Sequence, residues 1–215
     1  DALQMIEALH QYRKLSLHPV DPGEWKKNSL DYIEESAPFI ELFNVLDDIY
    51  QKQEKVLIFL ESRVIQDYLA QLLKKKYQLP IQPNVINGEV PNIQRQKFVD
   101  EFQAEPPERF STMIVSPQAG GIGFTMTNAN HVIHLSRWWN PAVEDQCNDR
   151  IYRIGQTKDV FVHTLTARHS TFGDSSYDVQ LNNILTRKRA TAKNVLTPMG
   201  EIEPSAFSHL FEGES

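Results

Sequence analysis

Residues 55–73 read KVLIFLESRVIQDYLAQLL, and this stretch decides the fold. Its first six residues, Lys55 to Leu60, form a short apolar run of the kind that becomes a buried strand. A buried strand followed at once by an amphipathic helix is the first half of a βαβ unit. After Ser62 the apolar residues recur with a helical period, which places six of them on one face: Val64, Ile65, Tyr68, Leu69, Leu72 and Leu73.

Further strands and a second crossover helix continue this alternation. Pro91 suits the first turn of a helix that runs through Phe98 and Phe102 to the breaker Pro106-Pro107. The alternation predicts an α/β fold, with right-handed crossovers and a mainly parallel sheet sandwiched by helices. Ligand-binding groups in such a sheet are expected at the carboxyl ends of the strands. The remaining predicted strands are residues 83–87, 112–116, 131–135 and 160–165.

The two ends of the chain are predicted to be helical flanks. Ala2 to Leu17 and Pro38 to Gln53 are periodic segments separated by the turn-rich residues 21–29. Tyr177 to Leu196 is a third periodic segment, which follows the polar loop 169–175. The expected organisation is a helical lead-in and linker at 1–35, one lobe at 36–167, a loop and helix at 168–197 and a poorly structured tail at 198–215.

The composition of the 215-residue chain is that of a globular protein, with 40% hydrophobic and 23% charged residues. Its single cysteine excludes an internal disulfide framework and a cysteine-based zinc cluster within the chain. Because no apolar run approaches the roughly 20 residues that span a bilayer and the first ten residues lack a signal-peptide pattern, we expect an intracellular protein. The net charge of −6 indicates that any DNA contact depends on a few placed residues or on a partner domain.

A helix that carries two arginines is specified at both ends. Asn140 is a good N-cap, Pro141 is a good first-turn residue and Gly155 is a stop, so the helix is predicted near residues 141–153. Two permanently charged guanidinium groups side by side suit a developing phosphoryl charge, although such arginines also pair with surface carboxylates. The helical period places Gln146, Arg150 and Arg153 on one polar face and Val143, Cys147, Ile151 and Ile154 on an apolar face.

Residues 146–156, QCNDRIYRIGQ, resemble motif VI of the SWI/SNF-type helicases, and residues 116–123, SPQAGGIG, resemble their motif V. Roughly residues 3–20 and 36–167 are covered, in the family's order. The resemblance implies the second, C-terminal RecA-like lobe of a superfamily-two DNA-dependent ATPase, and the sequence is more like that of bacterial members. Further segments that resemble the family are Leu17-His18-Pro19, Lys55 to Leu60, Asn87-Gly88 with Arg95, Phe98 and Phe102, and Trp139-Asn140-Pro141. The chain departs from the family's usual residues at Ser136, Pro117-Gln118 and Phe124-Thr125.

The resemblance also implies which residues act. Arg150 and Arg153 would be catalytic arginine fingers that reach ATP across a cleft between two lobes. The implied partners are the first lobe of the same polypeptide and double-stranded DNA, and the implied location is the cytoplasm of a bacterium or the nucleus of a eukaryote. Gln146, Gly121 and Gly123 would line the nucleotide cleft, and Ser116, Arg63, Asn87, Gly88 and Trp138 would contact or couple to the DNA backbone.

The phosphate-cradling string of P-loop NTPases and an Asp-Glu-x-His-type run are both missing from the sequence. ATP and Mg²⁺ would therefore be bound mainly by the first lobe, and the isolated chain is expected to lack ATPase activity. Two alternatives remain open at this point: a non-catalytic docking module with the same fold, and a lobe of an RNA helicase. The Trp-Asn-Pro turn and the Arg-Ile-Gly-Gln ending favour the DNA-dependent family.

Several features have simpler structural interpretations. Met126 stands where a dinucleotide-binding fingerprint needs its third glycine, so Gly121 and Gly123 do not form that motif. Trp138 and Trp139 can equally be packing residues. The remaining interpretations are structural roles for His131 and His134, a buried apolar role for Cys147, and a solvated helix face for Arg187-Lys188-Arg189, with DNA contact or bracing of the other lobe as the alternative.

Overall fold

Five parallel strands form the central sheet of the computed structural model, which describes residues 2–24, 29–120 and 123–194. The strands are β1 (Lys55–Phe59), β2 (Val85–Ile86), β3 (Ser111–Val115), β4 (His131–His134) and β5 (Phe161–Thr164). Their order across the sheet is β2-β3-β1-β4-β5, so β1 lies in the middle and pairs with both β3 and β4. The predicted parallel sheet is confirmed.

Helices cover both faces of the sheet and flank it at both ends of the described chain. Short 3₁₀ turns occur at Pro22–Glu24 and Gly173–Ser175. None of the described helices is long and apolar enough to cross a membrane. In chain order the helices are α1 (Ala2–Leu17), α2 (Asp31–Glu34), α3 (Ala37–Gln51), α4 (Arg63–Lys76), α5 (Asn92–Ala104), α6 (Pro117–Gly120), α7 (Pro141–Asn148) and α8 (Tyr177–Asn194).

Alternate residues of β1 enter two different hydrophobic cores. Val56 and Ile58 face the core that α3 and α4 cover, whereas Leu57 and Phe59 face the core that α5 and α7 cover. All four side chains are fully buried, as expected for a parallel sheet covered on both faces. The second core also takes Cys147 and Ile151, which ties the end of α7 to the sheet.

The flanking helices pack on each other as well as on the sheet. Leu9 of α1 forms a third buried cluster with Tyr177, Leu181 and Leu185 of α8. The predicted helix at residues 2–17 is confirmed, and the helix predicted at 177–196 is confirmed as far as the structure describes it. Leu196, the predicted tail at 198–215 and the linker residues 25–28 lie outside the described residues.

Two predicted patterns are wrong in detail. Val64 was placed on the apolar face of α4, but its side chain is 58% exposed while Ile65 is buried. Val64 lies in the first turn of α4. The strand predicted at 83–87 contains only the two residues of β2, an edge strand that pairs with β3.

Buried histidines join the strands at one side of the sheet. Nε2 of His134 lies 2.8 Å from Oδ1 of Asn148. His131 lies between Oε2 of Glu54, at 2.7 Å from Nε2, and Nε2 of His163, at 3.0 Å from Nδ1. Burial lowers the pKa of His131, His134 and His163, because the charged imidazolium would lose its hydration. This packing agrees with structural roles for His131 and His134.

We expect the free energy of unfolding to fall as the pH drops from 6.5 toward about 5. Burial lowers the pKa of these histidines in the folded state, whereas the unfolded chain binds protons near the ordinary histidine pKa of 6.5. The unfolded state therefore binds more protons, and acid stabilises it. Well below its unfolded pKa, each such histidine contributes up to about 1.4 kcal/mol per pH unit. Urea unfolding at a series of pH values measures the slope.

His134→Gln keeps an N–H donor for Asn148 and should reduce this slope. His10→Gln is the matched control, since the exposed side chain of His10 lies on α1 away from the sheet, and it should leave the slope unchanged. A stability that stays level between pH 6.5 and about 5 would contradict the assignment of neutral buried histidines.

Candidate functional site

Four of the residues predicted to contact DNA lie together at the carboxyl edge of the sheet. Asn87 and Gly88 follow β2, Ser116 follows β3, and the amide of Ser116 donates to a β2 carbonyl at 2.8 Å. Arg63 begins α4, and its Nη2 lies 3.9 Å from the position that a Cβ on Gly88 would occupy. The guanidinium is exposed and forms an ion pair with Glu89. The carboxyl edge of the sheet thus carries the cationic side chain of Arg63 beside the exposed backbone of Gly88.

The side chain of Asn87 shapes this edge from within. It is buried, its amide nitrogen donates to Oε1 of Gln66 at 3.0 Å, and its Oδ1 accepts from the amide of Glu89 at 3.0 Å. Both ends of the side chain are therefore used to hold the loop that carries Gly88. Arg63 and Gly88 remain the accessible members of the group.

Trp138 lies apart from this group. It follows β4 on the other side of β1, its ring is buried, and the guanidinium of Arg13 lies over it at 5.2 Å. A cation–π contact of this kind joins α1 to the chain after β4. The structure therefore supports the packing interpretation of Trp138, and a DNA contact by this residue stays a prediction.

The helix predicted at 141–153 is shorter than expected, because α7 ends at Asn148. Beyond it the hydrogen bonds tighten, since the amides of Arg150 and Ile151 donate to the carbonyls three residues earlier, at 3.2 and 3.1 Å. Arg150 and Arg153 thus lie in a turn that follows the helix and not on its polar face. Ile154, predicted on the apolar face, is fully exposed for the same reason.

Both arginines lie against the segment that connects α6 to β4. Nη1 of Arg150 lies 3.5 Å from the carbonyl oxygen of Phe124, and its Nε donates to the carbonyl of Gln146 at 3.1 Å. Nη1 of Arg153 donates to the hydroxyl of Thr125 at 2.9 Å and lies 3.5 Å from the carbonyl oxygen of Gly123. The tertiary fold therefore brings the arginine-bearing turn against residues 123–125.

The charges of the two arginines are not neutralised within the described residues. Arg150 is buried and Arg153 is exposed, and within residues 2–24, 29–120 and 123–194 neither forms an ion pair with a carboxylate. Burial and the neighbouring charge of Arg153 lower the pKa of Arg150. An arginine keeps its proton even so. Two positive charges are thus held side by side with neutral oxygens as partners.

The predicted nucleotide-lining residues are only partly described. Gln146 is an exposed side chain on α7, and Gly123 is exposed beside the arginine pair. Gly121 lies outside the described residues. Cys147, by contrast, is buried against the sheet, and burial raises the pKa of its thiol to about 12, which agrees with a small apolar core residue.

Sequence reasoning missed a buried charge network at the start of α7. Glu144 is 3% exposed, and its two oxygens accept from Nε and Nη2 of Arg137 at 2.9 and 3.1 Å. Burial alone would raise the pKa of Glu144, but the hydrogen bonds and charge of Arg137 lower it to about 2. Arg189 completes the network, so the interpretation of its helix face as solvated is wrong at this residue. The spacing of residues along the sequence gave no signal for the contact between Arg189 and Glu144, which lie 45 residues apart.

The five-stranded parallel sheet with helices on both faces is the architecture of a RecA-like lobe. The model of the helicase conserved C-terminal domain matches residues 41–155 of the chain. The chain belongs to this family, and its fold is that of the C-terminal lobe of SWI2/SNF2-type ATPases.

Known proteins agree with this assignment. The Zorya protein ZorD of Escherichia coli is 33% identical over 97% of this chain, and the helicase/translocase YwqA of Bacillus subtilis, a putative ATP-dependent enzyme by its name, is 40% identical over 60%. The chain spans only 19% and 14% of the length of these two relatives. The solved Sulfolobus solfataricus SWI2/SNF2 ATPase core in complex with dsDNA has the same fold, with 24% identity, a TM-score of 0.69, and coverage of 99% of this chain and 40% of that one.

We expect Gly155→Ala to destabilise the turn that carries the arginines. Gly155 has φ +103°, where an alanine is strained, and open space surrounds the position that its Cβ would occupy. The cost is therefore conformational and should be about 1 kcal/mol or more. Chemical denaturation of this chain measures it.

Gly88→Ala is the matched control, because its added Cβ would meet only the flexible Arg63 guanidinium at 3.9 Å and its φ lies outside the left-handed region. It should change stability by less than about 0.5 kcal/mol. Equal effects of the two substitutions would contradict the proposed strain at Gly155.

Proposed function

We propose that this chain is one half of a motor: the C-terminal lobe of a DNA-dependent ATPase that translocates along double-stranded DNA. In this proposal Arg150 and Arg153 are the fingers that complete the ATP site of a first RecA-like lobe. The carboxyl-edge group around Arg63 and Gly88 provides part of the groove for the DNA backbone. The isolated lobe binds no ATP productively and does not hydrolyse it.

The observation that carries the proposal is the state of the arginine pair. Arg150 is buried and Arg153 is exposed, and both lie against backbone carbonyls, while Arg153 also donates to the hydroxyl of Thr125. Their positive charge is therefore pre-positioned and left for an anion from outside the described lobe. Pre-positioned charge of this kind stabilises a transferring phosphoryl group without reorganisation during the reaction.

The residues present fit ATP but offer little for a metal ion. Guanidinium groups without acidic partners match the phosphate oxygens, whereas no group of three metal-binding side chains occurs among the described residues. Mg²⁺ bound by the first lobe would neutralise charge on the phosphates. On this side of the cleft, Arg150 and Arg153 supply positive charge and orient the terminal phosphate.

Loss of either arginine should abolish most of the turnover in the two-lobed protein. Arg150→Ala and Arg153→Ala are expected to lower DNA-stimulated kcat by roughly 10³-fold or more, because a finger stabilises charge that develops only in the transition state. Substitution by lysine should recover only part of the rate, since an ammonium group lacks the planar fork. Steady-state ATP hydrolysis with saturating duplex DNA measures both effects.

Arg109→Ala is the control, since Arg109 is an exposed arginine just before β3, at the opposite edge of the sheet. It should leave kcat unchanged. If Arg150→Ala and Arg153→Ala both turn over like the unaltered protein, the finger assignment is wrong.

Arg63→Ala should weaken duplex DNA binding equally for all sequences. A phosphate contact positions the duplex without reading bases, and its loss reduces the slope of log K against log salt by about 1. Fluorescence anisotropy with two unrelated duplexes over a range of salt concentrations measures affinity and slope.

Glu89→Gln provides a complementary change, because it removes the carboxylate that pairs with Arg63. It should tighten DNA binding. Lys74→Ala, at the far end of the same helix α4, is the control for loss of one positive charge. A preference for one duplex sequence, or an equal loss with Lys74→Ala, would refute a backbone contact by Arg63.

A further inference from the structure

The C-terminal helix α8 is bound directly to the first turn of α7. Nη2 of Arg189 donates to Oε2 of Glu144 at 2.8 Å and to Oδ1 of Asp145 at 3.0 Å. About two helical turns earlier on α8, Asn182 accepts from Nη1 of Arg137. Two side chains of α8 therefore reach the same charge network from one side.

Glu144 is the centre of this network. In addition to the bonds from Arg137 and Arg189, its Oε1 accepts from the amide of Trp138 at 2.9 Å. A buried carboxylate with several donors is held in one geometry, because each donor restricts both the position and the angle of the group. The first turn of α7 is thus fixed in relation to α8 and to the chain that leaves β4.

The far end of α7 leads directly into the arginine turn. Nε of Arg150 donates to the carbonyl of Gln146 on the last turn of the helix, and the carbonyl of Arg150 accepts from the amide of Met126 at 2.8 Å. The helix has only eight residues. A tilt of so short a rod at its first turn displaces the residues just beyond its last turn.

Helix α8 lies outside residues 41–155, the range that the family model matches. Its apolar residues Leu181 and Leu185 pack with Leu9 of α1. Because α8 is anchored on α1 and also holds α7, it couples the two ends of the described chain to the arginine turn.

We propose that α8 is a positioning element for the arginine pair, acting through Arg189 and Asn182 on Glu144 and Arg137. Arg189 touches neither the nucleotide nor the DNA in this proposal; it sets the orientation of α7 and thereby of Arg150 and Arg153. The catalytic consequence of this inference rests on the proposed function, whereas the positioning itself does not.

Hydrogen exchange in this chain tests the positioning directly. Arg189→Ala should speed amide exchange across residues 142–153 by roughly tenfold or more, the change expected from loss of its charge-assisted hydrogen bonds to Glu144 and Asp145, and leave β1 and β3 unchanged. Arg187→Ala is the matched control, because Arg187 is an exposed arginine two residues away on the same helix. Exchange at 142–153 that is unchanged by Arg189→Ala, or changed equally by Arg187→Ala, overturns the proposal.

Turnover in the two-lobed protein tests the consequence. Arg189→Ala should lower DNA-stimulated kcat by roughly 10- to 100-fold, as expected for a small misplacement, with the KM for ATP and the affinity for duplex DNA within about twofold. Arg189→Lys should recover part of kcat because it restores a charge at this position, and Asn182→Ala should give a smaller loss in the same parameter.

The outcomes separate the two proposals. If exchange at 142–153 quickens but kcat stays unchanged in an active protein, α8 does not position the arginines for turnover. A loss of DNA affinity equal to the loss of kcat would assign Arg189 to DNA contact instead. If the unaltered two-lobed protein shows no DNA-stimulated turnover, the proposed function fails, and the exchange experiment alone decides the positioning.

Discussion

The middle strand β1 has no face toward water, and most of the lobe depends on that constraint. Val56 and Ile58 require a covering layer on one side, and Leu57 and Phe59 require a second layer on the other. A parallel pairing with both β3 and β4 also forces each connection to cross over a face of the sheet. Those crossovers are α4, α5, the segment from α6 to β4, and α7 with the turn that follows it. The segment from α6 to β4 supplies carbonyls of Gly123 and Phe124 that lie against the arginine pair.

Arginine has two distinct uses in this molecule. Arg137 and Arg189 bind the buried Glu144, and Arg189 also binds Asp145, so carboxylates balance their charge and their role is to fix backbone elements. Arg150 and Arg153 are held by neutral oxygens, and no carboxylate of the described residues forms an ion pair with either of them. A buried charge without a partner is costly, and it persists where the surrounding fold holds it in place.

Local periodicity predicted the bounds of a helix well where the whole segment has one kind of backbone hydrogen bonding. The helix at residues 2–17 was predicted with its observed bounds, since its pattern is continuous and Pro19 stops it. The helix at 141–153 was overestimated, because the apolar pattern extends through Ile151 although the hydrogen bonds tighten after Asn148. The spacing of apolar side chains shows which residues are buried but not which hydrogen bonds the backbone makes. Ile151 is buried although the backbone there forms a tighter turn than an α-helix.

The sequence by itself determined the layers, the parallel sheet, the family and the identity of the motif residues, because these follow from periodicity and from strings of adjacent residues. Only the tertiary structure decided that the arginines lie in a turn, that the side chain of Asn87 is hydrogen-bonded within the protein, and that Arg189 binds Glu144. These facts depend on contacts between residues that are far apart in the chain. No local pattern records the partner of a charged side chain, since many partners satisfy the same charge and the fold selects one.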